Sequence, residues 1–197
     1  MTQEEKLRKL IEANGGLIRT SQITEAAISK PVLYQYVKQN NIDQLSHGVY
    51  AVRDSWIDMM YLIHLRCKQA VYSHETALFL HDLTDREPME YEITVKTGYN
   101  PSKLKEDGIK VYTVKKELHG EGIITMQTPF GHEVPVYDME RTICDIVRNR
   151  NNTEVQTFQN ALKQYVKRKD KNLRLLMHYA ENFHVDKILR RYLEVLL

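Results

Sequence analysis

Residues 20–53, TSQITEAAISKPVLYQYVKQNNIDQLSHGVYAVR, decide the fold. Their spacing predicts two short helices joined by a tight turn and followed by a small hairpin, the layout of a winged helix-turn-helix. Ile23, Ala26 and Ala27 give the first helix a small apolar face, and Leu33, Tyr36 and Val37 give the second one at i, i+3, i+4. Ser29 is placed to accept an N–H bond as N-cap, and Pro31 in the first turn brings a φ suited to a helix start. Lys30, Tyr34, Gln35, Lys38 and Gln39 fall on the opposite side. They offer cations for phosphate, amides for base edges and an aromatic for stacking or methyl contact. After Asn40 and Asn41, the run Ile42 to Val52 centres on His47-Gly48, where glycine permits a positive φ at a hairpin tip; this is the wing. The same spacing also fits a small helical bundle with a hairpin, in which Lys38 and Gln39 are simply solvated.

Outward from this stretch, Thr2-Gln3-Glu4-Glu5 has capping-box spacing ahead of a helix carrying Leu7, Leu10 and Ile11, which Asn14-Gly15-Gly16 stops. Leu17-Ile18-Arg19 is a short bridging strand. Downstream, Ser55 with Asp58 opens a linking helix with Trp56, Met59, Met60, Ile63 and Cys67 on one stripe. Val71-Tyr72 is a short strand, and Ser73 caps a helix from His74 to Asp82. Tyr91, Ile93 and Val95 alternate with Glu92, Thr94 and Lys96 as a half-buried strand. A further strand over 109–114 and a hairpin around Thr128–His132 complete a small sheet. Asp138 caps the next helix, Met139 to Arg148, and three more helical patterns close the chain.

The fold class is therefore α+β. We expect a winged helix-turn-helix over 1–53, a linking helix over 54–70 and a C-terminal domain over 71–197. That domain has a small mixed or antiparallel sheet to 137 and a basic helical bundle after it.

The net charge of +2 is unevenly spread. Residues 1–52 carry 6 Lys and Arg against 5 Asp and Glu, residues 53–147 carry 11 against 16, and residues 148–197 carry 11 against 5. Phosphate neutralisation drives non-specific DNA affinity, so a module at +1 binds weakly alone. Either the C-terminal helices lend charge, or the protein binds as more than one copy. The outward cations of the tail are Lys163, Lys167, Arg168, Lys169, Lys171, Arg174, Lys187, Arg190 and Arg191.

No apolar run approaches a membrane span, and the charged, amphipathic N-terminus has no signal core, so a cytoplasmic protein is expected. Cys67 and Cys144 lack metal spacing and are expected as buried thiols. His74 and His81 are seven apart and could approach a metal only with Asp82 or Asp85. In Glu92-Ile93-Thr94-Val95-Lys96, Thr94 stands where a nuclease would need the acid that precedes its lysine by two residues. No nucleophile elbow or phosphate loop is visible. No catalytic residue, metal or cofactor is assigned. Arg141 and Asp145, at i, i+4, have a structural role, with Asp138 as a carboxylate Arg141 could anchor.

Three stretches together resemble the AbiEi family, the antitoxin and regulator half of bacterial abortive-infection (type IV) toxin-antitoxin pairs. They are Leu45-Ser46-His47-Gly48-Val49-Tyr50, then Val71 to Leu78 followed by Leu80-His81-Asp82-Leu83, and Val136 to Asp145. Order and spacing agree over roughly residues 5 to 150. The resemblance implies an N-terminal domain that binds operator DNA and represses its own operon; we expect the operator in its own promoter to hold inverted repeats, with a dimer on them. The resemblance also implies a C-terminal domain that opposes a nucleotidyltransferase-type toxin without a stable complex. DNA contacts would come from Lys30, Tyr34, Gln35, Lys38 and Gln39 in the major groove, Arg19 and Ser21 near phosphate, and His47 and Arg53 by the wing. The family commonly has arginine where this chain has His47, which makes that phosphate contact weaker and pH-dependent. A plain protein-binding module and a divergent nuclease are the competing readings.

Overall fold

The computed structural model describes residues 1–53 and 56–196, in two compact units, Met1–Leu62 and Ile63–Leu197. The first unit holds α1 (Gln3–Ala13), β1 (Leu17–Arg19), α2 (Thr20–Glu25), α3 (Lys30–Gln39), β2 (Ile42–Ser46) and β3 (Val49–Val52). The capping box of α1 is formed: Thr2 accepts from the Glu5 amide and the Glu5 carboxylate accepts from the Thr2 amide. Beyond bridging two helices, β1 pairs antiparallel with β3, so the sheet order is β1-β3-β2. Leu7, Ile11, Ile18, Ile23, Ile28, Leu33, Ile42 and Tyr50 form the core of this unit.

Two expectations for this unit need correcting. Ala27 does not lie on the apolar face of α2; it is exposed, with φ +55, and ends the helix. Ile28 is the buried residue instead, because its N–H reaches the Ile23 carbonyl (2.8 Å) while Ala27 N–H reaches Thr24 (3.1 Å). This left-handed stop satisfies two orphan carbonyls and swings Ile28 back onto Ile23. Ser29 stands at the N-cap position of α3, but its hydroxyl makes no capping bond. Both its amide and hydroxyl donate to Gln3 Oε1, tying the start of α3 to α1.

The expected cap at Ser55 lies outside the described residues. Helix α4 (Met59–Arg66) begins after Asp58, whose carboxylate accepts from the Tyr61 amide, and the division between the units falls inside it. Met60, Ile63 and Cys67 are buried, but Trp56 is 87% exposed and Met59 also faces out. Trp56 lies before the first helical turn, so the helical spacing that grouped it with Ile63 does not apply there.

The second unit contains β4 (Val71–Tyr72), α5 (His74–Leu80), β5 (Glu92–Lys96), α6 (Ser102–Glu106), β6 (Lys110–Val114), α7 (Lys116–His119), β7 (Ile123–Gln127), β8 (Glu133–Tyr137), α8 (Met139–Arg148), α9 (Val155–Lys167), α10 (Leu173–Asn182) and α11 (Asp186–Leu196). Its mixed sheet has the order β6-β5-β4-β8-β7, with β5 and β6 parallel, β4 and β8 parallel, and the other pairs antiparallel. The strand β5 is buried on both faces rather than half-buried. Glu92 and Thr94 are as enclosed as Ile93 and Val95 because the polar pair is satisfied internally. Glu92 takes Lys110 Nζ (2.6 Å), the Tyr112 hydroxyl (3.1 Å) and the Glu75 amide (2.6 Å), and the Thr94 hydroxyl donates to Ser73 (2.8 Å). Ser73 therefore does not cap α5 as expected; its oxygen bonds Thr94 and the His74 ring instead.

Helix α8 is the centre of this unit, with every residue from Glu140 to Val147 buried. Ile143, Ile146 and Val147 join Phe158, Leu162, Tyr165, Leu176 and Leu189 from the three helices that follow. Its charged residues survive burial because each is paired, as a buried charge must be. Glu140 accepts from the Tyr165 hydroxyl (3.0 Å) and the Asn172 amide (2.8 Å). Arg141 is wholly enclosed, its guanidinium between the rings of Tyr137 and Phe183 at 4.1 and 3.9 Å. Its carboxylate partner is Asp145 (3.2 Å), not Asp138, whose Oδ1 is occupied in capping α8 through the Arg141 amide (2.7 Å). Asp138 Oδ2 takes the Tyr179 hydroxyl.

Candidate nucleic-acid interface

Helix α3 turns Leu33 fully inward and half-buries Val32, Tyr36 and Val37 against the core of its unit. Lys30, Tyr34, Gln35, Lys38 and Gln39 are all exposed. At about 100° per residue they fill one contiguous half of the helix circumference. Lys30, Tyr34 and Lys38 form one i, i+4 ridge, and Gln35 and Gln39 form the ridge beside it. Tyr34 is half exposed and steadied by Tyr50 of β3, whose hydroxyl is pushed above the usual phenol range by burial and by the adjacent Tyr34 hydroxyl. Tyr50 was not among the sequence-assigned site residues. Its place in β3, opposite Gln44, is what brings it under α3.

The wing forms between β2 and β3, with His47 exposed at its tip and Gly48 at φ +72. Gly48 is required for a second reason: its carbonyl accepts from the Thr20 amide (2.9 Å), and a Cβ on it would stand 2.6 Å from Thr20 Oγ1. The wing tip is thus held against the start of α2. Arg19 is half-buried, its guanidinium over the Tyr61 ring at 5.7 Å, and Ser21 is exposed on α2. Arg53 forms a two-point pair with Asp43 (3.0 and 3.2 Å), and that bonded guanidinium holds the Asp43 carboxyl below its usual range. Arg53 is therefore a residue that must release Asp43 before it meets phosphate.

In the second unit, Lys163, Lys167, Lys169, Arg174, Lys187, Arg190 and Arg191 are exposed, and Arg168 and Lys171 are partly so. Arg168 is locked by Asp170 (2.8 Å at both contacts), Lys171 donates to the Arg168 carbonyl, and Arg190 stands 3.9 Å from Glu181. Lys163 and Arg191 come together on an apolar groove of about 740 Å³ between α9 and α11, floored by Phe158, Leu162 and Ile188. The two histidines weighed as metal ligands turn apart: His81 bonds the Tyr137 carbonyl and His74 stacks on Tyr112. No group of three or more His, Cys, Asp or Glu side chains that could hold a metal ion occurs among the described residues. No described helix is long and apolar enough to cross a membrane.

Residues 5–53, the segment that builds this helix and wing, match the family described as transcriptional regulator, AbiEi antitoxin. The match spans 49 of the chain's 197 residues. The match contains the first of the three stretches that resemble AbiEi proteins; the other two lie beyond it. The matched segment supplies the whole exposed face of α3 and the wing. Among solved structures, the crystal structure of RV2827C protein from Mycobacterium tuberculosis superposes with a TM-score of 0.60 at 14% identity, over 88% of this chain and 69% of that one. At that identity the likeness speaks for the fold. Comparison with curated proteins finds no match.

Proposed function

We propose that the protein is a DNA-binding autorepressor and antitoxin of a bacterial toxin-antitoxin operon, opposing a nucleotidyltransferase-type toxin without catalysis of its own. The observation that carries this reading is the solvent-facing half of α3, within a segment that matches a family of antitoxins that regulate transcription. A helix about 10–12 Å across fits a major groove about 12 Å wide. There Gln35 and Gln39 read base edges, Lys30 and Lys38 take phosphates, and Tyr34 stacks or meets a thymine methyl group. His47 and Arg53 follow the backbone at the wing, with Arg19 and Ser21 near the adjacent phosphates. Residues 1–52 have a small net charge, so the operator is a pair of inverted repeats bound by two copies. Their half-sites would lie about one helical turn, roughly 34 Å, apart or a multiple of it. The basic face of α9 to α11 opposes the toxin without a stable complex, in the cytoplasm.

A gel-shift titration of the full chain on its own promoter, against a scrambled fragment and over a range of salt, tests this. A sequence-preferring shift that weakens steeply with salt is the expected result. A shift absent or indifferent to sequence would make the chain a protein-binding module. Cleavage of plasmid DNA with Mg²⁺ or Mn²⁺ would make it a nuclease.

A further inference from the structure

The second unit holds a cavity of about 210 Å³ that the DNA-binding reading does not use, walled by His74, Thr94, Tyr112, Arg141, Asp145 and Arg148. The last three lie at i, i+4 and i+7 on one face of α8. The buried Arg141 gives Nε to Asp145 and Nη1 to the carbonyls of Leu118 (2.9 Å) and Glu121 (3.0 Å). Its Nη2 has no hydrogen-bond partner among the described residues. A buried guanidinium donor left empty is rare, and here it belongs to a side chain lining a cavity.

His74 supplies a second donor. The Thr94 hydroxyl donates to Ser73 Oγ, and Ser73 Oγ lies 2.9 Å from His74 Nδ1, where it can donate its own proton to the ring. In that tautomer the ring proton sits on Nε2, free to meet a ligand. The ring lies flat on Tyr112, centroids 3.6 Å apart and planes within 14°. Its backbone is at φ +50, a conformation that non-glycine residues rarely hold and that gathers at functional sites. Arg148, solvent-exposed on the same wall, adds a second guanidinium. Asp145 is the one carboxylate of the wall, so the cavity has an excess of positive charge whether Asp145 is ionised or protonated. The volume is below the roughly 300–1,000 Å³ of drug-sized sites. It equals about seven waters at about 30 Å³ each, room for a tetrahedral ion but not a nucleoside.

We propose that this cavity binds a phosphate-class oxyanion through Arg141 Nη2, the His74 Nε2–H and Arg148. The oxyanion is either inorganic phosphate or the phosphate group of a nucleotide whose remainder lies outside. Calorimetric titration of the full chain, with no DNA present and ionic strength held constant, uses inorganic phosphate and AMP as probes and chloride as control. Saturable binding of phosphate alone identifies the free ion; tighter binding of AMP identifies the nucleotide. Arg148→Gln removes an exposed cation and keeps the core, and should weaken binding about tenfold or more, the equivalent of one charge-assisted hydrogen bond. Lys163→Gln, on the α9–α11 groove, should leave affinity unchanged. Absence of saturable binding to folded protein overturns the proposal. So does unchanged affinity in Arg148→Gln, or an equal loss in Lys163→Gln.

Discussion

Replacing Arg141 by Met keeps much of the side-chain length and removes the charge, and the structure sets the cost. Asp145 would lose its buried ion-pair partner, a change worth about 3–5 kcal/mol. Burial, the largest influence on it, already holds the Asp145 carboxyl above its usual range despite Arg141. The orphaned acid can therefore take up a proton, which keeps the ion-pair part of the cost near the lower figure. The part-buried carbonyl of Glu121 also loses its donor, at about 1–3 kcal/mol for a group left unsatisfied, while that of Leu118 keeps the Glu121 amide (3.4 Å). Met still fills the space between Tyr137 and Phe183 and recovers part of the packing. A net loss of about 3–5 kcal/mol is large beside the 5–15 kcal/mol that holds a typical domain together. Pairing it with Asp145→Leu should recover part of the loss, because an apolar replacement of both charges removes the uncompensated one. The Glu121 carbonyl stays unsatisfied in the double variant, so recovery is incomplete. Trp56 is in the first unit and solvent-exposed, so its fluorescence is a poor probe. Amide hydrogen exchange of α8 reads the right unit. A loss under about 1 kcal/mol, with additive effects in the double variant, would refute the ion-pair argument.

Gln35→Ala should cost about 1–3 kcal/mol on operator DNA and relax sequence preference, whereas Lys38→Ala should weaken all DNA and lower the salt slope by about one; gel shifts of both on operator and scrambled fragments check this. Two left-handed positions should move in opposite directions: Ala27→Gly stabilises the first unit by up to about 1 kcal/mol, and Gly48→Ala destabilises it by at least about 1 kcal/mol, as read by amide hydrogen exchange of α1 and α3. Burial, reinforced by Lys110, Arg141 and Arg148, pushes His74 down to about 3 from 6.5. Above pH 6.5 neither state holds the proton. Between 6.5 and about 3 the unfolded chain takes it and the fold does not, so stability falls on acidification by about 1.4 kcal/mol per pH unit from this group. Unfolding curves of His74→Asn, which tolerates the left-handed backbone, should lack that part of the slope; identical pH dependence would show that His74 is not kept neutral by the fold.

The elements that a few neighbouring residues specify were legible from sequence alone. The Thr2–Glu5 capping box, the Asp138 cap, the His47-Gly48 hairpin and the outward set on α3 each rest on interactions within a few residues, so their spacing carries the information. What depended on distant partners was not legible. Glu92 and Thr94 look solvent-facing by alternation. They are buried because Lys110, Tyr112 and Ser73 arrive from other strands and loops to satisfy them. Arg141 and Asp145 look like a surface pair, and become a buried one because carbonyls from residues 118 and 121 and the ring of Phe183 close over them. The cavity beside them has no linear signature, since its walls are spread over residues 74 to 149. Periodicity and local signals therefore determined the longer helices, the strands and which side of α3 is polar, but not the short helices α6 and α7. Tertiary packing decided which polar groups leave water, because burial of a charge depends on partners that the chain supplies from elsewhere.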